Sequence, residues 1–245
     1  MSLIINLLSG PRNVSTALMY SFAERSDTAV VDEPLYGHYL KLTKARQPHR
    51  DDLLGVLEQD GEKILRETIL SPPNDAPVYF LKNMAHHLIE LDDSWLFDER
   101  IRNVFLIRDP EQMLPSLVNQ IAEPTPRDAA YEAQSIWFDM LAEAGSPALV
   151  LDSKELLLDP RGVLSTLTKK LGIPFDEGML AWEPGPREED GPWAPYWYHN
   201  LHRSTGFAPY REKIEPFSEK LLPLLESSRP HYEKLSQHAI RASVS

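Results

Sequence analysis

The 245-residue sequence contains no cysteine, few glycines and no long apolar run. The absence of cysteine excludes disulfides, thiolate catalysis and zinc or iron–sulfur sites with cysteine ligands. Glycine is outnumbered by proline, 11 to 21, so few glycines are available to form a glycine-rich phosphate loop. Since no run approaches the roughly 18 apolar residues that a membrane helix needs, no such helix is expected. The apolar start, residues 1–8, also lacks the basic region and the cleavage site of a signal peptide.

Basic residues are in the minority as well, with 25 Lys and Arg against 37 Asp and Glu, which gives a formal net charge of −12. This balance argues against nucleic acid and against an anionic membrane surface as partners. A hydrophobic content of 42% and a charged content of 25% are typical of a folded domain with a sizeable core. We therefore expect a cytoplasmic, globular protein with neither nucleic acid nor a membrane as its partner, and the oligomeric state is left open.

Short apolar runs alternate with stretches of helical spacing along the chain. The runs predict five buried strands, at Leu3–Leu8, Thr28–Val31, Val78–Leu81, Asn103–Ile107 and Ala148–Leu151. The helical stretches are Asn13–Arg25, Arg50–Leu70, Arg127–Ala144 and a last helix from about Pro216 to Gln237. This alternation predicts an α/β fold with a central, mainly parallel five-stranded sheet flanked by helices. We expect one domain, with a core at 1–182, a loop at 183–195, and a C-terminal cap segment and helix at 196–245.

The first predicted strand runs into a segment with the layout of a phosphate cradle. A glycine turn, a basic residue and a helix opened by Ser and Thr can hold an anion through backbone N–H groups and the helix dipole. The candidate residues are Gly10, Pro11, Arg12, Asn13, Val14, Ser15 and Thr16. The Walker A pattern is not satisfied, because Val14 replaces its second glycine and its lysine is absent. A plain strand–helix connection capped by Ser or Asn is the alternative.

A second basic segment follows the fourth predicted strand. Arg108 comes directly after that strand, and Ser116 comes eight positions later in a helix that begins near Pro110. Because ligands bind outside the carboxyl ends of parallel strands, both side chains can face the same crevice as the first segment. An arginine fork and a hydroxyl suit a phosphate monoester. The alternative is an ion pair between Arg108 and Asp109 or a nearby glutamate.

Taken together, three segments in order resemble the PAPS-dependent sulfotransferases, most closely the small bacterial sulfotransferase-like proteins. Residues 11–16 resemble the family's 5′-phosphosulfate loop, and residues 108–116 its 3′-phosphate motif with the same Arg-to-Ser spacing. Residues 150–176 resemble its passage of strand, E-x-L, D-P, helix and L-G-hydrophobic-P. The resemblance covers about residues 1–182.

The resemblance implies a three-layer, P-loop-like fold and an enzyme. The reaction would move a sulfuryl group from 3′-phosphoadenosine 5′-phosphosulfate (PAPS) to a hydroxyl or amine of a small acceptor and release the 3′,5′-bisphosphate PAP. A sulfuryl group carries less charge than a phosphoryl group, so cationic side chains and N–H groups can suffice without a metal. Two other classes stay open: a small-metabolite kinase, and a sulfotransferase-like protein that binds a nucleotide or a partner without turnover.

The same resemblance assigns roles to individual residues. Arg12 would stabilise charge on the departing phosphate, and the rest of its loop would bind the 5′-phosphate. Val14 stands where the family carries glycine, and a β-branched residue does not readily take a positive φ. We therefore expect either a right-handed loop here or a donor that sits differently. The segment 199–207 resembles the family's basic loop over the 3′-phosphate through Arg203 and Gly206, and its candidate contacts are Arg203 and Ser204.

A general base must take the proton of the acceptor. Glu33, after the second strand, is the preferred candidate, and His86, after the third strand, is the next. Lys82 is expected to assist at the sulfate. The alternatives are a helix cap or a partner of Arg12 for Glu33, a half-buried, hydrogen-bonded histidine for His86, and a solvated strand end for Lys82.

A group of aromatic residues near the C-terminus has two interpretations. The rings can stack on adenine or line an acceptor pocket, or they can form a satellite core beneath a loop. The residues are Trp193, Tyr196, Trp197, Tyr198 and Phe207.

Overall fold

The computed structural model describes residues 2–243 except 44, 46, 74–75 and 213–216. Its centre is a sheet of six parallel strands in the order β2-β3-β1-β4-β5-β6. The strands are β1 (Leu3–Ser9), β2 (Thr28–Asp32), β3 (Val78–Met84), β4 (Ile101–Ile107), β5 (Leu149–Asp152) and β6 (Ala239–Ile240). The predicted parallel sheet is confirmed, but the count of five was wrong. The two-residue β6 is too short to stand out as an apolar run, and it forms by pairing with β5.

The helices of the described residues connect the strands and cover the sheet. The α-helices are α1 (Ser15–Ala23), α2 (Tyr36–Thr43), α3 (Arg50–Leu54), α4 (Gly61–Ile64), α5 (Pro110–Leu117), α6 (Pro126–Ala129), α7 (Tyr131–Glu143), α8 (Ser153–Leu158), α9 (Pro160–Leu171), α10 (Ala194–Trp197) and α11 (Leu222–Ser236). Short 3₁₀ turns lie at Ala85–His87, Ser94–Phe97, Glu177–Leu180, Leu201–Arg203 and Glu219–Leu221.

The sheet separates two buried apolar layers. On one face, Phe22 of α1 and Leu167 of α9 pack against strand residues such as Leu106. On the other face, Leu141 of α7 and Leu235 of α11 belong to a second buried cluster. Strands buried on both faces are the reason for the near-continuous apolar runs in the sequence. The predicted three-layer arrangement is therefore confirmed.

Two of the predicted helices are interrupted. The stretch 50–70 contains α3, α4 and a π-helical turn, because the Asp60 side chain caps α4 by accepting from Lys63 N at 3.1 Å. The stretch 127–144 is divided at Ala130, which takes φ 67° between α6 and α7. Apolar spacing does not reveal such caps. The last helix was predicted from Pro216, which lies outside the described residues.

The topology brings several chain segments to one edge of the sheet. β1 lies between β3 on one side and β4 on the other, so the strand order reverses at β1. Loops at the carboxyl ends of strands around such a reversal open into a common crevice. At this edge the end of β2 is in register with β3, with Asp32 opposite Lys82. Among the described helices none has both the length and the apolar character to cross a membrane.

Candidate active site

The loop between β1 and α1 has an unusual backbone. Arg12 and Val14 both lie in the left-handed region, at φ 59° and φ 61°. Of the two alternatives for Val14, the right-handed loop was wrong, and a donor that sits differently stays a prediction. The left-handed conformation costs a residue with a Cβ about 1–2 kcal/mol, so contacts from elsewhere must hold the loop. Because α1 begins at Ser15, the first N–H groups of the helix lack intrahelical acceptors and are available to an anion.

Hydrogen bonds of buried polar side chains hold this loop in place. Asn13 Nδ2 donates to the Leu106 carbonyl of β4 at 3.0 Å. Ser153 Oγ lies 2.8 Å from the Asn13 carbonyl, and Gln134 Nε2 donates to the Leu106 carbonyl at 2.9 Å. The first two bonds anchor the loop to β4 and α8, while Gln134 connects α7 to the same Leu106 carbonyl that Asn13 binds. Sequence reasoning missed Ser153 and Gln134, because no spacing connects them to the loop.

The structure brings the two predicted anion-binding segments together. Arg12 Nε donates to Ser116 Oγ at 3.0 Å, and Arg108 Nη1 donates to the Arg12 carbonyl at 2.6 Å. Asp109 instead caps α5 by accepting from Glu111 N. Within the described ranges neither arginine has a salt-bridge partner. Two guanidinium groups without a carboxylate partner make this part of the site suited to an anion.

Burial affects the charges of these two arginines without removing them. It lowers the pKa of Arg12, and the positive charge of Arg108 adds to that effect. Burial also lowers the pKa of Arg108, which Tyr131 and the nearby carboxylates oppose. Since the ordinary pKa of arginine lies so far above neutrality, both groups stay protonated at pH 7. An anionic ligand would relieve the repulsion between them.

Lys82 forms the centre of a buried polar cluster beside this region. Its side chain is 1% exposed, and Nζ donates to Asp32 Oδ1 at 2.6 Å, Glu33 Oε1 at 2.8 Å and Tyr198 OH at 2.6 Å. Burial acts to lower the pKa of Lys82, but the two carboxylates outweigh it and hold that pKa well above its ordinary value. Lys82 is thus not a solvated strand end. All three ammonium protons are engaged, which favours a role in positioning Glu33 over a direct contact with sulfate.

Asp32 and Tyr198 connect this cluster to the C-terminal segment. Tyr198 OH donates to Asp32 Oδ2 at 2.7 Å, and Trp193 Nε1 donates to Tyr198 OH at 2.9 Å. The backbone N–H of Gly191 also donates to Asp32 Oδ2, at 3.2 Å. Residues 191–198 are therefore fixed to the ends of β2 and β3 by hydrogen bonds to charged groups, which are stronger than neutral ones.

We expect Tyr198→Phe to destabilise the protein by about 1–3 kcal/mol, because it leaves buried partners of the hydroxyl without a hydrogen bond. The free energy of unfolding from urea titration measures the change. Tyr196→Phe, two residues earlier, is the matched control, since the Tyr196 ring stacks on His49 at 3.6 Å. Equal stability of the two variants would contradict the importance of this connection.

Glu33 has the position and the chemistry of a base. It follows β2 at φ 39°, and its backbone N–H donates to the Lys82 carbonyl at 2.8 Å. Burial raises the pKa of Glu33 and Asp32 adds to the effect, while Lys82 opposes it. A carboxylate with a raised pKa is a stronger base than an ordinary glutamate. Glu33 pairs with Lys82 and not, as one alternative had it, with Arg12.

His86 and His87 are buried on the turn after β3, and His87 Nδ1 lies 3.9 Å from Glu33 Oε2. Burial lowers the pKa of His86 to about 4 and that of His87 well below its ordinary value. Both rings are therefore neutral at pH 7, and a ring with a pKa near 4 is a weak base there. Between the two predicted candidates, the raised pKa of Glu33 and the lowered pKa of His86 favour Glu33 as the base.

A single cavity of about 310 Å³ connects the anion-binding loop with the buried cluster. Of the predicted site residues, Gly10, Ser116 and Arg203 do not line it, and Arg203 is exposed. Tyr196 also lies outside the lining. The predicted residues that do line the cavity are Pro11, Arg12, Asn13, Val14, Ser15, Thr16, Glu33, Lys82, His86, Arg108, Trp193, Trp197, Tyr198, Ser204 and Phe207.

Comparison with known proteins gives a family match over nearly the whole chain. The family described as "Sulfotransferase domain" matches residues 2–239. "Branched-chain-amino-acid aminotransferase-like protein 2" of Arabidopsis thaliana is 39% identical over 235 residues, covering 96% of this chain and 42% of that protein. The chain thus spans about two fifths of the length of the curated relatives it matches.

Solved sulfotransferase structures share the fold. A sulfotransferase of Alicyclobacillus acidocaldarius has a TM-score of 0.55 at 11% identity and covers 98% of this chain and 97% of its own. The sulfotransferase domain of the Synechococcus PCC 7002 olefin synthase has a TM-score of 0.51 at 17% identity, with coverage of 91% and 93%. At these identities the likeness concerns the fold.

Proposed function

We propose that this chain, which belongs to the sulfotransferase domain family, transfers a sulfuryl group from PAPS to a hydroxyl or amine of a small acceptor. One observation carries the proposal: the same cavity is lined by two arginines that have no carboxylate partner among the described residues and by a glutamate with a raised pKa. The arginines suit an anionic donor. The glutamate suits an acceptor that must lose a proton.

In the proposed reaction the acceptor oxygen or nitrogen attacks the sulfur while Glu33 takes its proton. The bond between sulfur and the bridging oxygen breaks, and PAP leaves with the electron pair. Arg12 and the N–H groups at the start of α1 stabilise the charge that develops on the phosphate. Lys82, held by Asp32 and Tyr198, keeps Glu33 in place. Arg108 serves the 3′-phosphate, and Ser116 positions Arg12 by accepting from its Nε at 3.0 Å.

We expect PAP to stabilise the protein against heat, since a ligand that binds only the folded state shifts unfolding by mass action. At about 100 times the dissociation constant the gain is about 2.7 kcal/mol, a rise in Tm of roughly 5–10 °C for a chain of this size. AMP, which lacks the 3′-phosphate, and Mg-ATP are the matched ligands and should give much smaller shifts. A larger shift with Mg-ATP would favour a kinase, and no shift with millimolar PAP would contradict the proposed donor.

A further inference from the structure

Asp128 is a carboxylate of the active-site cavity that the reaction described above leaves unused. It belongs to α6 and lines the same cavity as Arg12 and Glu33. Its Oδ1 accepts from Gln47 Nε2 at 3.1 Å, and its Oδ2 accepts from Thr125 Oγ1 at 2.6 Å. These two hydrogen bonds hold the carboxylate in one position before a ligand binds.

Both of these hydrogen-bond partners are neutral, so they leave the charge of Asp128 uncompensated. Over the part of the chain that the structure describes, Asp128 forms no salt bridge. The neighbouring Arg127 is exposed and lines a different cavity, of about 230 Å³. Asp128 itself is half-buried, and a carboxylate that is partly shielded from water attracts a cation more strongly than one in bulk solvent.

The position of Tyr36 shows that Asp128 lies at the end of the cavity that holds the base. The Tyr36 ring stacks on His87 at 5.0 Å, and His87 Nδ1 lies 3.9 Å from Glu33 Oε2. Burial raises the pKa of the Tyr36 hydroxyl, and the charges of Glu33 and Asp128 both add to that effect. The part of the cavity next to Tyr36 is therefore close to two carboxylates.

The two ends of the cavity carry opposite charge. The donor end has the two arginines described above, which suit an anion. At the other end Lys82 is shared by Asp32 and Glu33, so two carboxylates face one ammonium group. Asp128 adds a third carboxylate, while the neutral ring of His86 adds no positive charge. The acceptor end is thus negative and complements a cation.

We propose that Asp128 binds a positively charged group of the acceptor, an inference that rests on the proposed sulfuryl transfer. The acceptor then has two functional groups, a nucleophilic hydroxyl or uncharged amine beside Glu33 and an ammonium group beside Asp128. The nucleophilic atom forms the bond to sulfur, its proton goes to Glu33, and the bond between sulfur and PAP breaks. The ammonium group has no lone pair and takes no part in this step, so it serves to orient the acceptor.

This arrangement defines the acceptor class by its charge. Amino alcohols and aminophenols fit, whereas a carboxylate or phosphate group on the acceptor would lie against the negative end of the cavity. Trp197 also lines the cavity, and an indole ring is the aromatic group that attracts cations most strongly.

The test uses two series of acceptors as probes, each with the same nucleophile and a similar size but a different charge. The phenols are tyramine (cationic), p-propylphenol (neutral) and p-hydroxyphenylpropionate (anionic). The aliphatic alcohols are ethanolamine, propanol and glycolate, in the same order of charge. PAP release from PAPS at neutral pH gives kcat/KM for each probe, and calorimetry with PAP checks that donor binding is unchanged.

The variant to measure is Asp128→Asn, which removes the charge and keeps groups that can hydrogen-bond to Gln47 and Thr125. Glu143→Gln is the matched control, because Glu143 is an exposed residue of α7 that does not line the cavity. It removes the same charge from the protein.

We expect the unchanged protein to prefer the cationic probe over the neutral one by about tenfold to a hundredfold in at least one series, the value of a hydrogen bond between charged groups. Asp128→Asn should reduce this preference to less than threefold and leave kcat/KM for the neutral probe and PAP affinity nearly unchanged. Glu143→Gln should retain the full preference.

Two results would overturn the inference and leave the proposed function intact. One is transfer by the unchanged protein with no preference for the cationic probe in either series, and the other is a full preference in Asp128→Asn. If Asp128→Asn does not fold, the order of the probes with the unchanged protein decides. If the unchanged protein binds no PAP, or releases PAP with none of the six probes, the proposed function fails first.

Discussion

Glu33→Gln should lower kcat for sulfuryl transfer by about a hundredfold to ten-thousandfold, the usual contribution of a general base, and should leave PAP affinity nearly unchanged. The amide has the same size as the carboxylate and its oxygen can still accept from Lys82, so the ammonium group keeps Asp32 and Tyr198 as partners. What is lost is the basic oxygen that takes the acceptor's proton. Steady-state kinetics together with PAP calorimetry separates this loss from a loss of donor binding.

The pH dependence of the same pair of proteins gives a second readout. Since burial raises the pKa of Glu33 and only its deprotonated form is a base, kcat should fall as pH is lowered, at a pH above the ordinary glutamate pKa. This acidic limb should disappear in Glu33→Gln. Glu155→Gln is the matched control, because Glu155 pairs with Arg241 away from the cavity. A Glu33→Gln variant that retains kcat within threefold would assign the base elsewhere, and His86→Gln would then be the next variant to measure.

Arg12→Ala should lower kcat by about a hundredfold to a thousandfold, the cost of removing one group that stabilises transition-state charge, and should weaken PAPS binding as well. The guanidinium is fixed by its hydrogen bond to Ser116, so it is in place before a donor binds. Arg12→Lys keeps a positive charge but loses the planar fork, and we expect an intermediate rate.

The matched control for this substitution is Arg102→Ala. Arg102 is an exposed arginine of β4 whose side chain donates to the backbone carbonyls of Glu99 and Ile101. Its removal changes the net charge by the same amount and should leave kcat and PAPS binding unchanged. Equal losses in Arg12→Ala and Arg102→Ala would mean that overall charge, rather than the position of Arg12, controls the rate.

The sequence was sufficient to predict where several candidate residues would meet. Arg12, Glu33 and Arg108 each follow a buried strand, and the carboxyl ends of parallel strands share one edge. Their convergence in one cavity follows from topology alone. The pairing of Lys82 with Asp32 was not predicted from the sequence. It follows from the register of the adjacent strands, which places the end of β2 opposite that part of β3.

Other features depend on contacts that exist only after folding. The connection from Tyr198 to Asp32 spans 166 residues, and the segment 191–198 has no regular spacing that would place it. Val14 takes a left-handed conformation against its local preference because the neighbouring Asn13 is tied to β4 and α8. The local sequence pattern does not predict these features.

The most direct measurement of the central claim follows radiolabelled sulfate from PAPS into a panel of small alcohols, phenols and amines. The purified chain is incubated with PAPS and each acceptor, and PAP and labelled product are quantified together. We predict equal amounts of PAP and sulfated product with at least one acceptor, and loss of both in Glu33→Gln and Arg12→Ala but not in Arg102→Ala. Firm binding of PAP without transfer of label to any acceptor would contradict the account and indicate a sulfotransferase-like binding protein.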